Sequence, residues 1–310
     1  MQRRAFFGAV FSGLASAATA KPPKPKMGDI PVRALGRTGE KLSVIGMGGA
    51  RVPLMFLEEG KALVRKAYEL GINYFDMARS YWGGRAEEVY GAVLPAFRKN
   101  IFLTTKTGKR TRKEAEAELD VSLRLLKTDY VDLWQMHGVA QKEDIARIFA
   151  PGGALESFEA AKKAGKCRYI GFTGHADPSI HSEMLRSYDK FDTVLMPLHA
   201  ADTAYLSFER GTLPAAVEST IGILGMKIFA NAALLRTFSA KECLSYTLSL
   251  PINAVTLGFA TVGQLEDDVR IAQQFKPLSP SEMDELRGRA TGKNQDVING
   301  PALEYWKRKA

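Results

Sequence analysis

The sequence predicts one α/β domain that folds as a (β/α)8 TIM barrel, with an N-terminal β-hairpin before the barrel and a C-terminal helix plus tail after it. Eight short apolar segments, rich in Val, Ile, Leu and Phe like parallel strands buried on both faces, alternate with helical patterns. No internal repeat or Gly/Ser linker divides the chain. Eight strand–helix units fit a closed barrel better than an open doubly wound sheet, which is the alternative. The predicted strands are Val44–Met47, Ile72–Phe75, Ile101–Thr105, Tyr130–Met136, Cys167–Thr173, Thr193–Met196, Ile223–Phe229 and Ala254–Leu257.

The segments between these strands have helical periodicity with recognisable ends. Thr111 and Glu114 have the spacing of a capping box, and an apolar stripe from Ala115 to Leu126 follows them. A turn at Thr38-Gly39 between two short apolar runs predicts a hairpin that covers the bottom of the barrel. The region Ser281–Arg289 predicts a helix after the last strand, and the tail follows it.

The first 26 residues predict an export signal followed by a Pro/Lys-rich spacer, which leaves residues 27–310 for the barrel. Arg3-Arg4 precede a mildly apolar stretch, and Ala18-Thr19-Ala20 has the form of a cleavage site. This arrangement resembles a twin-arginine signal, an address that the export machinery reads, with no stable membrane anchor. We therefore expect an exported, periplasmic protein; an amphipathic helix on a cytoplasmic protein is the alternative.

Composition narrows the classes of partner. The chain has 310 residues, 45% hydrophobic and 25% charged, with a formal net charge of +9. The basic run Lys106–Lys113 contains no aromatic residue to stack on a base, so we do not expect nucleic-acid binding. A diffuse positive charge favours an anionic ligand such as a phosphate-bearing cofactor. The two cysteines lack C-x-x-C spacing, so neither a structural zinc nor an iron–sulfur cluster is expected.

Ionisable side chains follow neighbouring predicted strands at the point where each strand ends. Asp76 follows the second strand, Lys106 the third and His137 the fourth, while Tyr81 lies in the loop after the second. Active sites of such barrels gather at the carboxyl ends of the strands. Each residue alone has an ordinary structural explanation, but together they predict one site.

The chemistry that these residue types suit is proton donation to a carbonyl oxygen. A free tyrosine has a pKa near 10, and a neighbouring lysine cation would lower it and ease release of the proton. We expect Asp76 to hold Lys106 in place and His137 to orient the carbonyl group that Tyr81 protonates. Such a site also needs a group that attacks the carbonyl carbon.

The segments that carry these residues resemble the aldo-keto reductase family. They read "GINYFDMARSY", "FLTTKTG", "SLRLLKTDYVDLWQMH" and "GKCRYIGFTGH", and the similarity covers roughly residues 30–275 in order. The resemblance implies a barrel that binds a nicotinamide cofactor across its mouth. It also implies that Asp76, Tyr81, Lys106 and His137 form the catalytic tetrad.

The resemblance implies cofactor-binding positions as well, although several depart from the family pattern. Thr173-Gly174 replaces the usual Ser-Asn, Met226 replaces a stacking aromatic residue, and Val262 stands where many relatives have a basic residue. We expect NADP(H) to be favoured, with NAD(H) possible. The implied cofactor-binding residues are Gly49, Arg51, Thr173, Gly174, Met226, Lys227, Phe229, Thr261, Gln264 and Asp268.

The sequence thus predicts an NAD(P)H-dependent oxidoreductase that reduces aldehydes or ketones, or oxidises the corresponding alcohols, with Tyr81 as general acid/base. One alternative is a slow-turnover sensor or auxiliary subunit that binds the same cofactor on the same barrel. Another is an aldolase that forms a Schiff base through Lys106.

Overall fold

The structure is a computed structural model that describes residues 30–52 and 56–292. The predicted export signal and spacer of residues 1–26 lie outside the described residues. So does the predicted tail that contains Tyr305-Trp306.

Eight parallel strands, β3 to β10, close into a barrel in the order β10-β3-β4-β5-β6-β7-β8-β9, which confirms the predicted fold. The ring closes where β10 pairs with β3, with Val255 opposite Ile45. This closure excludes the open sheet. The barrel strands are β3 (Ile45–Gly48), β4 (Tyr74–Asp76), β5 (Phe102–Thr107), β6 (Val131–Met136), β7 (Cys167–Thr173), β8 (Thr193–Pro197), β9 (Gly222–Met226) and β10 (Ala254–Leu257).

Helices connect the strands and pack on the outside of the barrel through their apolar stripes. In the helix after β5, for example, Ala115, Leu119 and Leu126 are buried. No described helix is both long and apolar enough to cross a membrane. The α-helices are α1 (Leu57–Glu69), α2 (Arg85–Gly91), α3 (Arg112–Leu126), α4 (Lys142–Phe149), α5 (Ala154–Lys163), α6 (Pro178–Ser187), α7 (Phe208–Gly211), α8 (Leu213–Glu218), α9 (Ala240–Ser249), α10 (Val262–Gln273) and α11 (Pro280–Gly292).

The predicted hairpin is present at the bottom of the barrel. Strands β1 (Val32–Ala34) and β2 (Lys41–Ser43) pair antiparallel. Leu35, in the connection between them, is fully buried and belongs to the core inside the barrel. Arg37 donates to the main-chain oxygens of Asp189 and Phe191, just before β8. The hairpin therefore closes the end of the barrel opposite to the carboxyl ends of the strands.

The apolar side chains form two cores because successive strand residues point to opposite faces. The smaller core fills the barrel and includes Leu133, Leu195 and Leu224. The larger core lies between the strands and the helices, where Trp134 stacks on Phe158 with ring centroids 3.8 Å apart. The side chains of the smaller core therefore fill the barrel interior beneath its mouth.

Besides shifts of one or two residues at other strand ends, two local predictions were wrong. The seventh barrel strand ends at Met226 and not at Phe229, because Lys227 takes a left-handed φ of 60° that turns the chain away from the sheet. Thr111 does not form a capping box, since its hydroxyl donates to the carboxylate of Glu114 at 2.6 Å and accepts no bond from the helix backbone.

Candidate active site

A cavity of about 880 Å³ lies at the mouth of the barrel, where the carboxyl ends of the strands meet. It is lined by residues that follow β3, β4, β6, β7, β9 and β10, as expected for a ligand site in this fold. Of the four predicted catalytic residues, Asp76, Tyr81 and His137 line this cavity, and Lys106 lies beneath them.

A buried ion pair between Asp76 and Lys106 forms the base of the site. The Lys106 Nζ atom lies 2.6 Å from Asp76 Oδ2, and it also donates to the main-chain oxygen of Met77 at 2.6 Å. The second carboxylate oxygen, Asp76 Oδ1, accepts a 2.7 Å bond from the hydroxyl of Thr104. Only 1% of the Lys106 surface is exposed, so solvent does not screen this pair.

The Lys106 side chain is held as an ammonium ion. Burial alone would lower its pKa, but the charge of Asp76, the phenol of Tyr81 and hydrogen bonds to both raise it. The net result is a pKa above the ordinary value. Lys106 is therefore a permanent positive charge at neutral pH.

Tyr81 lies directly above this charge. The Lys106 Nζ atom is 5.2 Å from the centroid of the Tyr81 ring. Burial raises the pKa of the phenol, and Asp76 adds to this, while the charge and hydrogen bond of Lys106 lower it. The net direction is upward, so the prediction of a lowered pKa was wrong, although Lys106 does act in the predicted direction. Tyr81 thus holds its proton at neutral pH.

His137 completes the constellation on the other side of Tyr81. The two rings meet edge to face, with centroids 5.7 Å apart. Burial lowers the pKa of His137 well below its ordinary value, and the charges of Lys106 and Arg110 lower it further. His137 is therefore neutral, with the hydroxyl of Ser80 3.2 Å from Nδ1. When Ser80 donates this bond, the imidazole proton is on Nε2.

The predicted cofactor-binding residues divide into two groups. Six of them line the cavity, and four do not. Thr261, in the second group, is the N-cap of α10 and accepts a bond from the backbone of Gln264. Gly174 packs so closely that a Cβ atom there would lie 2.2 Å from the main-chain oxygen of Val139. The lining residues are Arg51, Met226, Lys227, Phe229, Gln264 and Asp268; the others are Gly49, Thr173, Gly174 and Thr261.

His175, the last residue of the segment "GKCRYIGFTGH", also lines the cavity, although it was not among the predicted cofactor-binding residues. Burial lowers its pKa to about 3, and the charges of Lys227 and Lys106 contribute. It is therefore a neutral hydrogen-bonding group beside the site. Its only signal in the sequence is its place two residues after the end of β7.

The cavity suits an anionic cofactor that has an apolar end. Arg51 and Lys227 supply positive charge to its wall. The pKa of Lys227 is lowered, mainly by burial and further by the charge of Arg51. Met226 offers an apolar surface at the end of β9. The buried hydroxyl of Thr173 at the end of β7 has no hydrogen-bond partner among the described residues. Of these groups, Arg51, Lys227 and Met226 line the cavity and fit a nicotinamide nucleotide, whose phosphates the two cations would bind.

Other classes of site find little support in the described part of the chain. Residues 30–52 and 56–292 contain no group of three or more His, Cys, Asp or Glu side chains placed to hold a metal ion. Both cysteines are buried, and burial raises the pKa of each thiol to about 12. Neither thiol is thus a nucleophile at neutral pH.

Comparison with known proteins agrees with this geometry. The sequence profile of the Aldo/keto reductase family matches residues 44–243. The chain is 33% identical over 177 residues to an uncharacterized oxidoreductase of Bacillus subtilis, YqkF, with 53% of each chain covered. It is 26% identical over 297 residues to the L-galactose dehydrogenase of Arabidopsis thaliana, with 81% of this chain and 91% of that protein covered. The chain thus spans about half the length of the first relative and most of the second.

A solved structure shows the same fold. The holo form of an aldo-keto reductase from Bacillus halodurans superposes with a TM-score of 0.71 at 22% identity, over 84% of this chain and 96% of that chain. At 22% identity this likeness supports the barrel fold alone. The family is assigned from the sequence profile, which covers more than half of the chain. The chain therefore belongs to the aldo/keto reductase family, whose members are NAD(P)-dependent oxidoreductases.

Proposed function

We propose that this protein reduces aldehyde or ketone groups, or oxidises the corresponding alcohols, with Tyr81 as general acid/base. The observation that carries the proposal is the unbroken series Asp76–Lys106–Tyr81–His137 at the floor of the cavity. Two of these links join residues that are 30 or more positions apart in the sequence. A nicotinamide nucleotide held in the cavity would supply or accept the hydride.

Each residue of the series has a separate part in this proposal. Tyr81 is protonated at neutral pH and gives its proton to the carbonyl oxygen. Lys106, kept charged by Asp76, stabilises the phenolate that remains. Neutral His137 donates a hydrogen bond to the same oxygen and so orients the carbonyl group. In the reverse direction the phenolate takes the proton of an alcohol.

The aldolase alternative does not fit the state of Lys106. A lysine that forms a Schiff base reacts as a neutral amine. Here the pKa of Lys106 is raised, its Nζ atom makes two 2.6 Å bonds, and the residue is almost fully buried. These features hold the ammonium form and leave Lys106 as an electrostatic group beneath Tyr81.

The test of the proposal is cofactor oxidation by the purified protein. NADPH and NADH are each mixed with a panel of aldehydes and quinones, and the absorbance of the reduced cofactor is followed. Turnover that depends on Tyr81 supports the proposal. Tight cofactor binding without turnover on any carbonyl would favour the sensor or auxiliary subunit.

We propose NADP(H) as the preferred cofactor, with NAD(H) as a weaker alternative. Arg51 and Lys227 favour the ligand with more negative charge. Asp267 and Asp268 also line the cavity and oppose that charge. Burial raises the pKa of Asp268 to about 7, and the neighbouring Asp267 contributes. Asp268 is thus largely neutral below this pH and ionised above it.

This titration predicts that the preference for NADPH weakens as the pH rises. Between pH 6.5 and 8.5 we expect the Kd for NADPH to increase about three- to tenfold relative to that for NADH, because an ionised Asp268 repels the extra phosphate. Dissociation constants from cofactor fluorescence check this expectation, and Asp268→Asn should reduce the pH dependence.

Asp267→Asn is the matched control. Asp267 is 65% exposed in its side chain and paired with Arg270 at 2.8 Å. This variant should keep the pH dependence of the cofactor preference. The transition should move to lower pH, because removal of the Asp267 charge lowers the pKa of Asp268. An unchanged pH dependence in Asp268→Asn would disprove the assignment to this carboxyl.

We further propose that the protein is exported through the twin-arginine machinery to the periplasm. The support is the sequence pattern of residues 1–26 alone. Replacement of Arg3 and Arg4 by lysine should leave the full-length protein in the cytoplasmic fraction of a bacterial host, and the unaltered chain should enter the periplasmic fraction. Equal distribution of the two proteins would contradict the proposal.

A further inference from the structure

The loop that carries Tyr81 has a backbone conformation that the chain does not favour by itself. Trp82, Gly83 and Gly84 follow Tyr81 directly and have φ values of 54°, 64° and 98°. All three lie in the left-handed region, which costs a non-glycine residue such as Trp82 conformational energy. Such a conformation persists only where the surrounding contacts determine it. The contacts that hold this loop therefore also set the position of Tyr81.

The guanidinium group of Arg79 lies at the centre of this loop. Its Nη2 atom donates to the main-chain oxygen of Gly83 at 2.6 Å, and its Nη1 atom donates to the carboxylate of Glu87 at 2.6 Å. A Cβ atom on Gly84 would lie 1.7 Å from Arg79 Nη1, so glycine at this position leaves room for the guanidinium group. Arg79 thus connects both sides of the turn that follows Tyr81.

Glu87 connects this loop to the strand that carries Lys106. The residue is fully buried, and its second carboxylate oxygen accepts a 2.7 Å bond from the hydroxyl of Thr105. Thr105 immediately precedes Lys106, and the backbone N–H of Arg79 donates to the main-chain oxygen of Lys106 at 3.0 Å. Arg79 and Glu87 therefore connect the loop that follows Tyr81 to the strand that carries Lys106.

We infer that Arg79 and Glu87 form a positioning pair that holds the Tyr81 phenol over Lys106. Neither residue lines the cavity, so the pair acts on the reaction only through the loop. This inference rests on the proposed role of Tyr81 as general acid/base. It assigns importance for the reaction to a partly buried ion pair that lies outside the cavity.

Arg79→Lys is the variant that tests the pair with least damage. Lysine keeps the positive charge beside Glu87, but one ammonium group lacks the planar fork that bonds Gly83 and Glu87 together. Because small misplacements of a reacting group are costly, we expect kcat to fall roughly 10- to 100-fold. The KM and the cofactor Kd should change less than about threefold, since the residues that line the cavity are unchanged.

Arg98→Lys is the matched control. Arg98 forms a similar pair with Asp132 at 2.7 Å, with 11% and 2% of the two side chains exposed, against 18% and 0% for Arg79 and Glu87. Arg98 also donates to main-chain oxygens, but it lies near the opposite end of the barrel, beside the start of β6. We expect a lower Tm for this variant and an unchanged kcat.

Hydrogen exchange of the backbone amides adds a measurement that does not depend on activity. In Arg79→Lys we expect faster exchange in peptides that cover residues 80–86, and in Arg98→Lys no change there. If exchange in this loop stays as in the wild type, or if kcat does not fall, the inference is overturned. If the wild type itself oxidises no cofactor, the proposed function fails, and the exchange data still decide whether the pair orders the loop.

Discussion

Replacement of Tyr81 by phenylalanine is expected to reduce kcat by roughly 10²- to 10⁴-fold, the usual contribution of a general acid. The variant keeps the ring that contacts His137 edge to face and loses only the hydroxyl group. The reduction should appear equally in kcat and kcat/KM, because the Tyr81 hydroxyl group donates its proton only in the transition state. Initial rates with NADPH and NADH on the best carbonyl substrate provide the measurement.

Cofactor affinity is the control for this variant. The phenol proton takes no part in binding the phosphates, so the Kd for each nucleotide should remain within about twofold. A Tyr81→Phe protein that retains full turnover would rule out the proposed general acid. A variant that loses cofactor binding as well would show that the hydroxyl group has a structural part.

Replacement of Asp76 by asparagine is expected to lower the free energy of unfolding by about 3–5 kcal/mol, because it leaves Lys106 buried without its counter-charge. Nearly nothing of either side chain is exposed, so water cannot replace the carboxylate. We also expect activity to be lost, since Lys106 then becomes easier to deprotonate and no longer stabilises a phenolate. Denaturant unfolding and the carbonyl assay measure the two effects.

The double variant Asp76→Asn/Lys106→Met separates stability from catalysis. It removes both charges at similar volume, and such replacements of a whole buried pair are often neutral for stability. We expect a protein that folds nearly as stably as the wild type but remains inactive. If the double variant were active, the charge beneath Tyr81 would have no part in the reaction.

The order of elements and the approximate strand limits were predictable because they depend on local patterns. The strand Cys167–Thr173 was predicted to the residue, since most of its residues, such as Tyr169, Ile170 and Phe172, are of types that favour strands. The hairpin was predictable from the Thr38-Gly39 turn between two short runs. The end of β9 was missed because Ile228 is buried in a loop and continues the apolar pattern beyond the strand.

The sequence by itself determined which side chains meet at the mouth of the barrel. Parallel strands all end on one rim, so residues placed after successive strands come together whatever the loops do. Asp76 is the last residue of β4, Lys106 is the penultimate residue of β5, and His137 directly follows β6. The three side chains share one site for this reason. That inference needed only the spacing of strands and polar residues.

Only the tertiary structure decided the protonation state of the site and the support of its loop. The pKa of Tyr81 is raised because its burial outweighs the nearby charge, and burial depends on packing from several elements. The contact between Arg79 and Glu87 depends on a turn with three left-handed residues, which no pattern of apolar residues reports. Local sequence fixes periodicity and strand ends, whereas desolvation and charge separation depend on distances between residues far apart in the chain.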